Sequence, residues 1–103
     1  MYKLVAIYRT PTDTAAFDEH YTNTHSPLMA KVPGYDRIEV SRVTRTMMGD
    51  TNPYLMFEMW FSDKDTFRAA LRSPENAAAG QDLMGFAGDL VTVFTAETVE
   101  DGE

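Results

Sequence analysis

The protein has two histidines, and both fall in one stretch, Phe17 to Gly34, with Tyr21 between them and Ser26-Pro27 directly after. Imidazole is the side chain whose ordinary pKa, ~6.5, lets it give and take a proton near neutrality. His25 therefore reads as a proton-transfer group. Its plainer reading is a helix C-terminal histidine that caps carbonyls and complements the helix dipole. His20 lies five positions earlier, roughly 140° around an α-helix. On an unbroken helix the two rings point apart, and a metal site built on both is not expected. Tyr21 is four residues before His25 and shares its face, either to hydrogen-bond the ring or to pack. Ser26 precedes a proline and is pushed out of the helical region, so the first helix is expected to end at His25. Ser26 would then cap a short second turn with Pro27 at its first position. Such a break would turn His25, not His20, toward a pocket.

Glu58 is the second chemical candidate, because its same-face neighbours along a strand are Met56 and Trp60. A carboxylate there is either desolvated, with a raised pKa suited to a general base, or paired with an arginine such as Arg37 or Arg42. Tyr35 is a further hydroxyl for proton transfer beside His25 and Glu58 as catalytic candidates. Tyr8, His20, Tyr21, Tyr54, Met56, Trp60 and Phe86 form a set able to line an apolar, substrate-binding pocket with a few polar tips. The same residues serve equally as core and interface. With no cysteine, disulfides, thiolate nucleophiles and thiolate metal sites are excluded. The glycines have no phosphate-cradling spacing and no serine sits in a nucleophile elbow. Neither a metal nor a cofactor is expected.

The remaining composition narrows the class. At 103 residues with 44% hydrophobic residues, the chain is expected to be one domain spanning 1–103 with one core. The net charge of −7 argues against nucleic acid and against anionic membrane surfaces. Part of that charge lies in the tail from Glu97 to Glu103, which is expected to fray. The N-terminal apolar run, Leu4 to Tyr8, is too short for a signal peptide or a membrane span, so a cytoplasmic protein is expected.

Periodicity and turn residues lay out the elements that must position these groups. Strands are expected at 2–9, 35–46, 54–61 and 90–99. Helices start after Thr12-Asp13, after Ser62-Asp63 and at Ser73-Pro74. The order β-α-β-β-α-β is that of the ferredoxin-like α+β unit, with strand order 4-1-3-2. Both central strands are apolar on both faces, yet two helices cover only one face of the sheet. The set Val5, Ile7, Leu55, Phe57, Met59 and Phe61 is expected under the helices. Tyr2, Leu4, Ala6, Tyr8, Tyr54, Met56 and Trp60 are then left over, and closing them against a second copy predicts a homodimer through the sheet face. Glu58 would lie inside that barrel.

Asp13-x-x-Ala16-Phe17-x-x-His20-Tyr21-x-x-x-His25-x-Pro27-Leu28, followed by Val32-Pro33-Gly34-Tyr35, resembles the EthD family, named for a component of ethyl tert-butyl ether degradation. Ser73-Pro74-Glu75, Asp82-Leu83 and Phe86 extend the resemblance over nearly the whole chain. It implies a dimeric α+β barrel, the superfamily that also holds muconolactone methylisomerase, quinol-type monooxygenases and polyketide cyclases. The expected function is then binding of a small, largely apolar or aromatic molecule in catabolic or secondary metabolism, with cofactor-independent isomerase- or monooxygenase-type chemistry. The alternatives are a non-catalytic ligand-binding or accessory protein of an oxygenase system and, less in keeping with an acidic chain, a haem binder using His25.

Overall fold

A computed structural model describes residues 1–99. Among them the order is β1 Tyr2–Arg9, α1 Thr14–His20, a π-helical turn Tyr21–His25, α2 Ser26–Ala30, β2 Arg37–Arg42, β3 Pro53–Phe61, α3 Lys64–Leu71, α4 Pro74–Ala87 and β4 Val91–Glu97. The strands pair antiparallel throughout in the order β2-β3-β1-β4, as expected for a ferredoxin-like α+β sheet with β1 and β3 central. No described helix is long and apolar enough to cross a membrane.

The helix starts follow the capping residues. Asp13 Oδ1 accepts from the Ala16 amide at 3.0 Å, Asp63 Oδ2 from Thr66 at 2.8 Å and Ser73 Oγ from Asn76 at 3.1 Å. Each satisfies an amide that the first turn leaves without a helical partner. β2 is shorter than expected, and residues 43–52 form an irregular connection with Asn52 at positive φ. At the other end, Glu97 closes β4, and the Thr98 amide donates to the Met1 carbonyl at 2.9 Å, so the tail is tied down to that point. The expected fraying of 100–103 lies outside the described residues.

The register corrects which face of β1 is covered. Tyr2, Leu4, Ala6 and Tyr8 stand opposite Phe61, Met59, Phe57 and Leu55. Residues directly opposite share a face, so even-numbered β1 residues go with odd-numbered β3 residues. The expected grouping of Tyr8 with Met56 and Trp60 is therefore wrong. A one-residue change of phase between strands is invisible in either strand alone. Tyr8, Leu55, Phe57, Met59 and Phe61 form the core under the helices. The other face carries Val5, Ile7, Met56, Glu58, Trp60 and Phe94. Tyr54 belongs to neither row. The register passes from Tyr8–Leu55 to Arg9–Pro53, leaving it as the extra residue of a bulge. It leans to the helix side, where its ring meets Phe17 edge-on at 5.7 Å and its hydroxyl donates to Asp18 at 2.8 Å.

Candidate active site

Pro27 decides the geometry of the histidines. In an α-helix the amide of residue 27 would donate to Asn23, but proline has no N–H and its ring would crowd that carbonyl. The chain widens instead of breaking. The Ser26 amide donates to the Tyr21 carbonyl five residues back, and Ser26 itself is helical at φ −58°, ψ −44°. The expected helix end at His25 and the Ser26 cap are both corrected by this turn. With five residues per hydrogen-bonded loop, His20 and His25 come onto the same side instead of lying far apart.

Both rings meet Asp82 on α4. His25 Nδ1 lies 3.1 Å from Asp82 Oδ2, while His20 Nε2 lies 2.8 Å from Oδ1 and 3.1 Å from Oδ2. An ionised carboxylate only accepts, so each of those nitrogens carries its proton and donates. In His25 the Nε2 lone pair is then free. His25 is 3% exposed, and the Phe86 ring packs against both imidazoles, 4.4 Å from His20 and 5.2 Å from His25. Burial lowers the His25 pKa below 6.5, while its hydrogen bond to Asp82 and the carboxylate's charge pull the other way. At neutral pH the ring is a neutral base.

His25 lines a cavity of about 130 Å³ between β1 and α4, together with Tyr8, Leu4, Met29, Leu83 and Val93 among others. Tyr8 is 1% exposed, and burial, followed by the nearby Tyr21 and Asp82, pushes its hydroxyl far above the usual tyrosine range. It stays protonated and keeps an O–H to donate. Tyr21, raised to about 12 by burial, stacks on Phe17 and meets Tyr8 edge-on without lining this cavity. The void is well below the ~300–1,000 Å³ of sites that bury drug-sized ligands. Among the described residues, no group of three or more His, Cys, Asp or Glu is placed to hold a metal ion.

The other expected site residues separate. His20 and Phe86 border a larger open groove of about 480 Å³ on the outer side, between the β1–α1 connection and the end of α4. Tyr35 donates to the Ala30 carbonyl at 3.2 Å and does not line the His25 cavity. It holds the chain after α2. Tyr54 is occupied by Asp18 and by Arg42, which donates to its hydroxyl at 2.8 Å. Met56, Glu58 and Trp60 lie on the opposite face of the sheet from His25. There Glu58 pairs with Lys3 Nζ at 2.9 Å, not with an arginine, and Lys3 and Arg37 sit 4.4 Å and 4.5 Å from the Trp60 ring. Glu58 thus shares no pocket with His25 within one chain. Asp82 is the residue that site reasoning passed over. Its signal was an acid in a helical stripe with Ala79 and Phe86, spaced three and four apart.

An EthD domain model matches residues 9–89. An EthD family protein from Bacillus halodurans C-125 is 44% identical, with 96% of this chain and 99% of that one covered at a TM-score of 0.88. Two more distant solved structures share the fold. A dimeric ferredoxin-like protein of unknown function from Thermobifida fusca YX is 18% identical, with 94% and 90% covered and a TM-score of 0.68. SnoaB, a cofactor-independent oxygenase from Streptomyces nogalater, is 20% identical, with 97% and 94% covered and a TM-score of 0.63. A family match over most of the chain, joined by a relative of such identity along nearly its full length, leaves one assignment: the chain belongs to the EthD family.

Proposed function

We propose that the protein is a cofactor-free acid–base catalyst of catabolic or secondary metabolism, acting on a small, largely apolar carbonyl compound held between β1 and α4. The observation that carries this is the His25–Asp82 hydrogen bond at 3.1 Å beside a cavity. A neutral imidazole whose Nδ1–H is held by a carboxylate has its Nε2 lone pair ready as a general base. His25 Nε2 takes a proton from a C–H next to the substrate carbonyl, and the bond's electrons pass to the carbonyl oxygen. Asp82 steadies the imidazolium through Nδ1–H, and the Tyr8 hydroxyl donates to the developing oxyanion. Where a C=C bond adjoins that C–H, the enolate is a dienolate; returning the proton from the imidazolium to its far carbon moves the double bond into conjugation with the carbonyl and completes an isomerisation. A shared fold with a cofactor-independent oxygenase supports chemistry without a cofactor, at the level of fold only.

Cyclohexanone in D2O tests this, because exchange of its α-hydrogens is visible by NMR without knowing the natural substrate. The expected result is exchange above buffer that falls ~10²-fold or more in His25→Ala. Binding without exchange in the native protein would overturn the catalytic role and leave a ligand-binding protein, the second function open to the same cavity.

The working form is proposed to be a homodimer closed by the face of Val5, Ile7, Met56 and Trp60. Trp60 Nε1 on that face is buried with no hydrogen-bond partner among the described residues. That atom is covered within its own chain, and it is the face the helices leave bare, where Phe94 is 42% exposed, that calls for a second copy. The dimeric ferredoxin-like protein of the same fold supports this arrangement.

A further inference from the structure

The cavity beside His25 owes its existence to small residues facing one another. Ala6 of β1 is 5% exposed and Ala79 of α4 is 1% exposed, and both line it together with Gly80, in the interior of a fourteen-residue helix. Glycine in a helix interior is less favourable than alanine. Crowding does not require it. A Cβ placed on Gly80 meets no atom within 4 Å, whereas on Gly88 it would meet the Met84 carbonyl oxygen at 2.9 Å. Gly85 also has free space, but it borders the open outer groove. Gly80 lines the His25 cavity, so the void runs up to the backbone of α4.

We propose that Gly80 sets the substrate size, and that the cavity takes a single compact ring or branched chain of about six to eight non-hydrogen atoms carrying one carbonyl. The size follows from the volume. An apolar void of ~150 Å³ holds one benzene, and this one measures about 130 Å³. The polarity follows from the lining. Asn76 donates from its side-chain nitrogen to the Leu71 carbonyl at 3.1 Å, so its Oδ1, the His25 lone pair and the Tyr8 O–H are the polar groups for a ligand among mostly aliphatic neighbours, and the Tyr8 O–H is the donor for a carbonyl. The requirement for a carbonyl rests on the acid–base reading above, whereas the size limit does not. Two fused rings exceed the space, and a branched side chain at position 80 would occupy it.

Calorimetric titration separates these points. Cyclohexanone is compared with 1-tetralone, which keeps the carbonyl and adds a fused ring. The native protein should bind cyclohexanone at least tenfold more tightly than 1-tetralone. Gly80→Val should weaken cyclohexanone at least tenfold while the melting temperature holds or rises. Gly80→Ala, which favours the helix, should fall between and keeps the test open should the valine variant fail to fold. Equal binding of the two ketones, no binding of cyclohexanone, or unchanged affinity in a folded Gly80→Val and Gly80→Ala would each overturn the proposal. Size-selective binding without α-hydrogen exchange would instead defeat the acid–base reading and leave the size limit standing. Exchange with unchanged affinity in the Gly80 variants would do the reverse.

Discussion

Replacing Asp82 by asparagine keeps the side-chain shape and removes the property on which both histidines depend. The carboxylate accepts from His25 Nδ1–H and His20 Nε2–H at once. An amide offers one acceptor oxygen and, in the other place, an N–H₂ donor. One histidine must then give up its proton on that side or lose its partner. His20, with 36% of its side chain exposed, can turn to water, but His25, at 4%, cannot. A hydrogen bond to a charged group contributes ~1.5–3 kcal/mol. At ~4–8 °C per kcal/mol for a domain of this size, Asp82→Asn should melt roughly 6–24 °C lower. If the amide nitrogen faces His25, the proton moves to Nε2 and the base points a hydrogen into the cavity. If it faces His20, His25 keeps its tautomer but loses the negative charge that steadies its imidazolium. Either way, exchange of cyclohexanone hydrogens should drop ~10²–10⁴-fold. Circular dichroism melts, imidazole ¹⁵N shifts and the exchange assay read the three effects separately. A melting shift under ~2 °C with exchange unchanged would refute the idea that Asp82 holds and charges this pair.

Three further outcomes follow from other parts of the structure. Because burial lowers the His25 pKa, the unfolded chain takes up a proton first as pH falls below ~6.5, so stability should drop through that range and level off below the folded pKa. Urea midpoints at pH 7.5, 6 and 5 should fall more steeply for the native protein than for His25→Gln, and a rise on acidification would contradict this. Ile7→Asp, on the uncovered sheet face, should reduce the light-scattering mass from twice the 11.6 kDa chain to a single chain, and a native protein already at chain mass would remove the homodimer. Gly34→Ala should cost about 1–3 kcal/mol by urea titration, because φ is +88° and the new Cβ would press on Thr66 Cγ2. Trimming Thr66 to serine should recover only the steric share of that loss.

Much of the fold was legible because local chemistry and topology agreed. Asp13, Asp63 and Ser73 start the helices where their types and positions said they would. The strand order followed from β1 and β3 being apolar on both sides. That same property concealed the phase between them. With no polar row to mark the outside, nothing in Tyr2–Arg9 alone says whether Tyr8 or Ile7 faces the helices. Glu58 was drawn toward the chemistry by that ambiguity, and Lys3, a neighbour only through strand pairing, is its partner. His25 could be singled out, but Asp82, 57 residues away, could not be joined to it without knowing that α4 crosses the widened turn. The fixed 100° step assumed between residues placed His20 on the far side, where an ordinary helix would have put it.

The widened turn has a meaning in the language of insertion and deletion. Histidines four apart share a face on an α-helix. Histidines five apart share one here, with Pro27 accommodated in the following turn. A single codon lost between the two histidines therefore leaves their meeting with a common carboxylate in place, provided the chain beyond can absorb the shift. It can, since α2 has five residues and is followed by the irregular stretch 31–36 before β2 begins. Relatives with one residue fewer here, on a regular helix, can carry the same pair under a gap in the alignment. A search that demands fixed spacing between the two histidines would pass over them.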